Sequence, residues 1–416
     1  MTRPPDAASQ PVGTSTVDLR RNRAYRLLMA GRTLTLTSAS MTGLAGVLLA
    51  YDLTHDPAAA STIMGLSLIG MLVATLPAGW LADRFDRRTV MITVAVGHAA
   101  LIASIPVAAW LGILTLTQLA MVTCATGAVS MGYPPAEQAA LVQVVATKDL
   151  DTALALNQAR SSAASITGPP LAGALYSVAG TLPYVADSIA NLIAAACAAA
   201  IRDDLRPKVD RPRTSVVGEL MAGIRFFATH RGLRPLSLVI AMSTVGFWIL
   251  YTGTVLGLQH RGAPPSQLAL LQAGFGVGSL LGALASRLIL RRLALGHTIA
   301  LTLAGLLLVG SGLTLATTTP AAVTLLTLFG ATFPVANIGV LTWFVRSTPD
   351  GLVGRVTSAL GLIALSAAPV GTLVAGHLLA YTNQTIALTA GLAALTAALT
   401  VTLTHPAVRT LPRLAR

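Results

Sequence analysis

Gly132-Tyr133-Pro134-Pro135-Ala136 recurs about 200 residues later as Thr332-Phe333-Pro334-Val335-Ala336. The register holds on either side. Leu141 falls over Leu341, and Pro169 falls over Pro369. A looser pair lies upstream, where Gly79-Trp80-Leu81-Ala82-Asp83-Arg84 returns as Gly282-Ala283-Leu284-Ala285-Ser286-Arg287. Two copies of one unit therefore fill most of the 416 residues.

Both copies lie in apolar sequence. The chain is 54% hydrophobic and 10% charged, against roughly 25% charged in soluble domains. Apolar runs long enough to cross a bilayer as helices recur along its length. Twelve are legible: about 27–53, 60–82, 89–111, 113–135, 152–178, 182–201, 235–257, 265–289, 296–316, 319–344, 355–380 and 383–404. A membrane barrel would instead show short strands alternating apolar and polar residues, and that pattern is missing. The expected fold is an all-α membrane protein with twelve transmembrane helices in two pseudo-symmetric six-helix bundles. Secondary transporters place a central site between such halves.

The formal charge of +13 invites a nucleic-acid reading. Its distribution excludes one. Of 28 Lys and Arg, only Arg32, Arg160 and Arg261 fall outside the tails, the central loop and the loops on one side of the membrane. That asymmetry is the positive-inside rule, and it predicts that both termini are cytoplasmic. The basic surplus also suits contact with anionic lipid. Residues 1–24 are polar and hold three prolines, so they read as a disordered cytoplasmic tail rather than a signal peptide. The expected units are then 25–201, an N-terminal bundle; 202–230, a cytoplasmic linker; 231–404, a C-terminal bundle; and 405–416, a second tail. In the linker, Val217, Leu220, Met221, Ile224 and Phe227 share one helical face, as in a helix lying on the membrane surface. The two cysteines, Cys124 and Cys197, sit in apolar runs and indicate neither a disulfide framework nor a metal site.

Gly79-Trp80-Leu81-Ala82-Asp83-Arg84-Phe85-Asp86-Arg87-Arg88 resembles the signature between helices 2 and 3 of the major facilitator superfamily. Asp86 replaces the second glycine of that pattern. Pro134-Pro135-Ala136, Leu156-Asn157-Gln158 and Gly354-Arg355-Val356 are similar to the macrolide and siderophore exporter branch. The resemblance covers nearly the whole chain after residue 20. It implies that Gly79, Asp83, Arg84, Arg87 and Arg88 form a gating motif, with Asp83 capping the start of helix 11. An acid at a helix start accepts backbone N–H groups and is favoured by the helix dipole. Gly168-Pro169-Pro170-Leu171-Ala172-Gly173 resembles the helix 5 motif of antiporters, with Gly168, Pro169, Pro170 and Gly173 matching and Ala172 departing. The prolines bend a helix and the glycines allow close packing.

Charged groups inside a membrane cost several kcal/mol and point to function. The candidates for substrate or coupling contacts are Arg160, Arg32, Glu137, Asn157 and Gln158. Arg160 is expected in the cavity because its repeat partner is the apolar Leu360. A structural pair with Glu137 is the alternative. Asp52 and Asp187 read as outer-boundary residues, and His98 and His377 as core histidines able to titrate. No carboxylate reads as lying at the midplane. Gly274-Phe275-Gly276-Val277-Gly278 reads as helix packing, since no strand precedes it and no Lys-Ser/Thr follows.

The resemblance implies a secondary transporter of the inner plasma membrane. It would export a small amphipathic compound, such as a drug, antibiotic, siderophore or metabolite, by alternating access, with protons as the coupling ion. No catalytic residue, cofactor or metal is expected, and the chain is expected to act as a monomer. The alternatives are an importer or uniporter of the same fold, and an intramembrane hydrolase using Ser67 with a histidine such as His98.

Overall fold

The structure is a computed structural model describing residues 22–146, 149–206, 233–316, 318–347 and 353–413. Those residues form fourteen helices. They are α1 (Arg23–Thr54), α2 (Pro57–Arg84), α3 (Arg87–Trp110), α4 (Leu116–Ser130), α5 (Tyr133–Val144), α6 (Leu150–Val178) and α7 (Leu182–Ala199). After the linker come α8 (Leu233–His260), α9 (Pro265–Arg292), α10 (Leu295–Leu315), α11 (Thr319–Ser347), α12 (Val353–Tyr381), α13 (Gln384–Thr404) and the short α14 (Pro406–Arg409). The predicted amphipathic helix of the linker lies outside the described residues.

Ten of the described helices contain a stretch long and apolar enough to cross a membrane. The other two crossings depart from the simple pattern. The fourth is split into α4 and α5 at Met131-Gly132. Two prolines in the first turn of α5 cannot donate to the preceding turn, so the chain breaks there. Gly132 is needed at the break because a Cβ would come 2.8 Å from Val94 on α3. The second copy carries one proline at this place, and α11 runs through it unbroken. The fifth crossing, α6, has 29 residues but carries Asp151, Asn157, Gln158 and Arg160 in one half. The fold is therefore the twelve-helix, two-bundle membrane architecture.

Short polar residues start many of the helices. Asn22, Asp56, Thr115 and Asn383 each accept a backbone N–H in the first turn of the helix they cap. Asp86 does the same for α3, accepting from Arg88 N at 3.1 Å. That role accounts for an acid where the family pattern has glycine.

The repeat is visible in the packing. α2 packs on α4 as α9 packs on α11, and α3 on α7 as α10 on α13. Small residues allow the first of these contacts. A Cβ on Gly127 would strike the Ser67 carbonyl, and one on Gly278 would strike that of Thr327. The Gly274–Gly278 stretch thus sets two faces: Gly274 and Gly278 meet α11, while Gly276 meets α6 at Ser165 and Ile166. Between the halves, α2 lies along α12 and α6 along α9. These two contacts exchange under the repeat.

Candidate substrate cavity

A cavity of about 560 Å³ lies between the halves, lined from α1, α2, α3, α4 and α7 on one side and α8, α9 and α11 on the other. Its residues come from the middle of the long helices, such as Ala39 on α1, His98 on α3 and Phe275 on α9. The cavity therefore sits near the midplane, where transporters of this build bind substrate.

Its two walls differ. The second half supplies Phe247, Trp248, Tyr251, Phe275 and Phe333. Phe247 is the hub, with ring centroids 4.4 Å from Phe333, 5.8 Å from Phe275 and 5.9 Å from Trp248. Phe329 backs it at 4.9 Å. The first half supplies Thr42, Ser67, Thr123, Thr126, Ser130 and His98 among aliphatic side chains. Thr42, Thr126 and Ser130 donate their hydroxyl protons to carbonyls of their own helices. What they have left to offer a ligand is oxygen lone pairs. An aromatic wall facing an acceptor wall suits a compound with a flat apolar part and a donor or cationic part.

The far end of the cavity, away from the chain termini, is closed. Tyr51 Oη lies 3.1 Å from His260 Nδ1, joining the ends of α1 and α8. A Cβ on Gly376 of α12 would strike the Ser61 side chain on α2, and one on Gly173 of α6 would come 2.7 Å from Ala269 on α9. At the end carrying the termini, a Cβ on Gly79 of α2 or on Gly361 of α12 would meet none of the described residues within 4 Å. Trp80, Leu284 and Leu288 near that end are exposed.

The predicted polar residues divide into two groups. Glu137 is 1% exposed and sits with Oε2 3.8 Å from Arg32 Nε. Asn157 and Arg160 on α6 lie within electrostatic reach of the same carboxylate. The guanidinium of Arg160 lies 5.9 Å from the Tyr25 ring centre and faces a separate cavity of about 510 Å³ between α1 and α6, with Arg26 and Thr33. Arg160 thus adjoins Glu137 and this inner cavity rather than lining the central one. Gln158 is exposed nearby.

The signature after α2 is at the end carrying the termini. Asp83 and Arg84 are exposed, Arg87 Nη1 donates to Ala139 O at 3.4 Å, and Arg88 Nη2 donates to Asp203 O at 2.5 Å. The side chains at the start of α12, which the resemblance sets against Asp83, lie outside the described residues. In the helix 5 motif, Gly168 fits against Thr37 and Ser40 of α1, and Gly173 fits against α9. Asp52 stays at the outer boundary, accepting from Tyr176 Oη at 2.6 Å. His377 is exposed and bonded to its own helix at Leu373.

Asp187 departs from its sequence reading. It is completely buried, and its Oδ2 lies 3.1 Å from Nε2 of His98. Asn191 Nδ2 donates to Oδ1 at 2.7 Å and reaches Ser38 Oγ at 3.4 Å. A carboxylate does stand deep in the membrane, behind a cavity residue. The sequence places Asp187 near the start of its helix. Only the packing of α7 on α3 sets it beside His98. The i, i+4 spacing of Asp187 and Asn191 was the available signal. Ser67 also lines the cavity, but no hydrogen bond joins it to the imidazole of His98 among the described residues.

Two six-helix bundles, related by a repeat and enclosing a midplane cavity closed at one end, define a secondary transporter rather than an enzyme. Residues 28–372 match the Major Facilitator Superfamily as a sequence family. The chain belongs to that superfamily. It is 26% identical over 343 residues to the multidrug efflux pump Tap of Mycobacterium bovis, covering 77% of this chain and 78% of that one. It is 25% identical over 345 residues to the multidrug efflux pump Tap of Mycolicibacterium fortuitum, covering 78% and 82%. Among solved structures it resembles the nucleoside transporter NupG, with a TM-score of 0.79 at 10% identity over 92% of this chain and 99% of that one. It also resembles a bacterial homologue of the iron transporter ferroportin in its inward-facing state, with a TM-score of 0.70 at 16% identity over 93% and 98%.

Proposed function

We propose that this transporter exports small amphipathic compounds from the cytoplasm across the plasma membrane, in exchange for protons. The observation that carries the reading is the midplane cavity, aromatic on one side and rich in oxygen acceptors on the other. The arginines support reading their end of the bundle as cytoplasmic, which makes the end closed by Tyr51 and His260 the outer one. Compounds enter at the cytoplasmic end, the halves rock, and the Tyr51–His260 contact parts to release them outside. Asp83 then latches the cytoplasmic end against the start of α12. The similarity to proteins named multidrug efflux pumps supports export and a broad range. A cavity built from ring faces selects by flatness and polarity more than by one hydrogen-bond pattern.

The test is efflux of a panel of fluorescent compounds, cationic and neutral, from cells lacking their own exporters. Expression of the chain lowers cellular accumulation, and a protonophore restores it. Accumulation raised by expression would mean import. Efflux indifferent to the protonophore would remove the proton exchange.

A further inference from the structure

We propose that His98 and Asp187 together form the proton-carrying site, and that the compound exchanged for the proton is a cation or a strong hydrogen-bond donor. The inference rests on the proton-coupled export proposed above. His98 is the twelfth of the 24 residues of α3, at mid-depth, and lines the central cavity. Asp187 stands directly behind it, closed off from every cavity by burial. With the imidazole neutral, the pair carries one negative charge. With the imidazole or carboxyl protonated as well, it carries none or is a compact ion pair. A net buried charge is costly in hydrocarbon surroundings, whereas a paired one is tolerated. The cavity can therefore close around the unprotonated pair only when something else in the cavity supplies positive charge or donors. A proton and a cationic compound are alternatives in that role, which is the requirement for exchange.

The surroundings favour this over a purely structural pair. Among the described residues lining the cavity there is no Lys, Arg, Asp or Glu, and His98 alone of them can acquire positive charge. Tyr184 on α7 also lines the cavity, its buried hydroxyl without a hydrogen-bond partner, and Tyr251 on α8 lines the opposite wall; both are neutral phenols. Asn191 on α7 and Ser38 on α1 face the carboxylate as neutral groups. From α4, Thr126 and Thr123 line the cavity wall beside His98, and both are neutral. The closest charge on α1 is Arg32, about 9 Å along the helix axis from Ser38 and occupied with Glu137 of α5. The hydroxyl lone pairs and ring faces of the walls give a cation further favourable contacts.

The test uses the full chain in proteoliposomes, with ethidium as a cationic probe and Nile red as a neutral one. Two modes are compared: uphill ethidium movement driven by an imposed pH gradient, and ethidium counterflow at equal pH on both sides. The wild-type chain performs both. In Asp187→Asn gradient-driven ethidium uptake is expected to be lost, and whatever counterflow remains is expected no longer to vary with pH, whereas wild-type counterflow falls as the pH is lowered. His98→Gln is expected to do the same. A merely structural pair would lower both modes together and leave the residual counterflow with the wild-type pH dependence. Gradient-driven uptake preserved in either variant overturns the assignment. A wild-type chain that ignores the gradient overturns the proton exchange itself, a distinguishable failure. Should the variants not fold, ethidium added to the detergent-solubilised wild-type chain in weak buffer gives a second reading. Proton release on binding ethidium, without release on adding Nile red, supports the pair, and the absence of release overturns it.

Discussion

Replacing Glu137 with Leu should destabilise the protein by about 3–5 kcal/mol, the usual cost of stripping one partner from a buried ion pair. The structure allows this to be worked through. Glu137 is 1% exposed and its Oε2 is 3.8 Å from Arg32 Nε. At an effective dielectric near 20, that separation corresponds to about 4 kcal/mol of attraction. Removing the carboxylate also leaves the largely buried Arg32 without its ion-pair partner. Replacing both Arg32 and Glu137, with Met and Leu, should recover most of the loss. Arg160 tolerates the change because it keeps the Tyr25 ring and faces a cavity. The assay is SDS-driven unfolding in mixed micelles, followed by circular dichroism, on the two single variants and the double. A double-mutant cycle gives the coupling directly. A Glu137→Leu loss below about 1 kcal/mol, the value of an exposed pair, would refute the reasoning. So would a double variant as unstable as the sum of the singles.

Asp83→Asn should lower transport strongly while insertion and surface expression stay normal, through loss of a charge-assisted cap worth roughly 1–2 kcal/mol; wild-type turnover at equal expression would remove the latch. Arg160→Leu should fold and lose transport if the guanidinium serves substrate or coupling, whereas poor folding rescued by Glu137→Gln would mark it as structural, and normal transport of the whole panel would exclude both roles. Gly278→Ala should unfold at lower temperature than the wild type, because its Cβ would strike the Thr327 carbonyl; an unchanged melting profile would show that α9 and α11 are not held at this distance. Tyr51→Phe removes a hydrogen bond worth about 1 kcal/mol. It should raise labelling of a cavity cysteine from the outer side roughly five-fold, and unchanged labelling would show that the Tyr51–His260 contact does not hold that end shut.

Much of the fold was legible because its determinants are local. Hydropathy marks each crossing, arginines mark the side, and the register from Pro134 to Pro334 marks the repeat. The split between α4 and α5 was half legible. Gly132 and the two prolines were the signal for a break, but the apolar run of 113–135 stops at those prolines and leaves out the rest of α5, which reaches Val144. The site was less legible for a physical reason. Position along a helix gives depth only if the helices are equally long and equally tilted. α7 has 18 residues and α3 has 24, so a residue early in α7 meets one at the centre of α3. The hub position of Phe247 likewise depends on Phe275, Phe329 and Phe333 arriving from two other helices.

The places where the two copies disagree carry the chemistry. The shared parts make the shared interfaces, α2 on α12 and α6 on α9, about which two bundles can rock. Rocking alone is symmetric and has no preferred cargo. Direction and coupling need groups that one half has and the other lacks. Asp83 faces Ser286 in the repeat, and Arg160 faces Leu360. α10 and α13, the counterparts of α3 and α7, contain no acidic residue, so nothing in the second half answers Asp187. The aromatic hub is confined to the second half in the same way. A cavity with its titratable group on one wall and its ring faces on the other holds a compound against the proton site from one side only. When the bundles rock, the compound and the proton compete for that one wall. A symmetric cavity with a site on each wall could hold both at once and would lose the exchange.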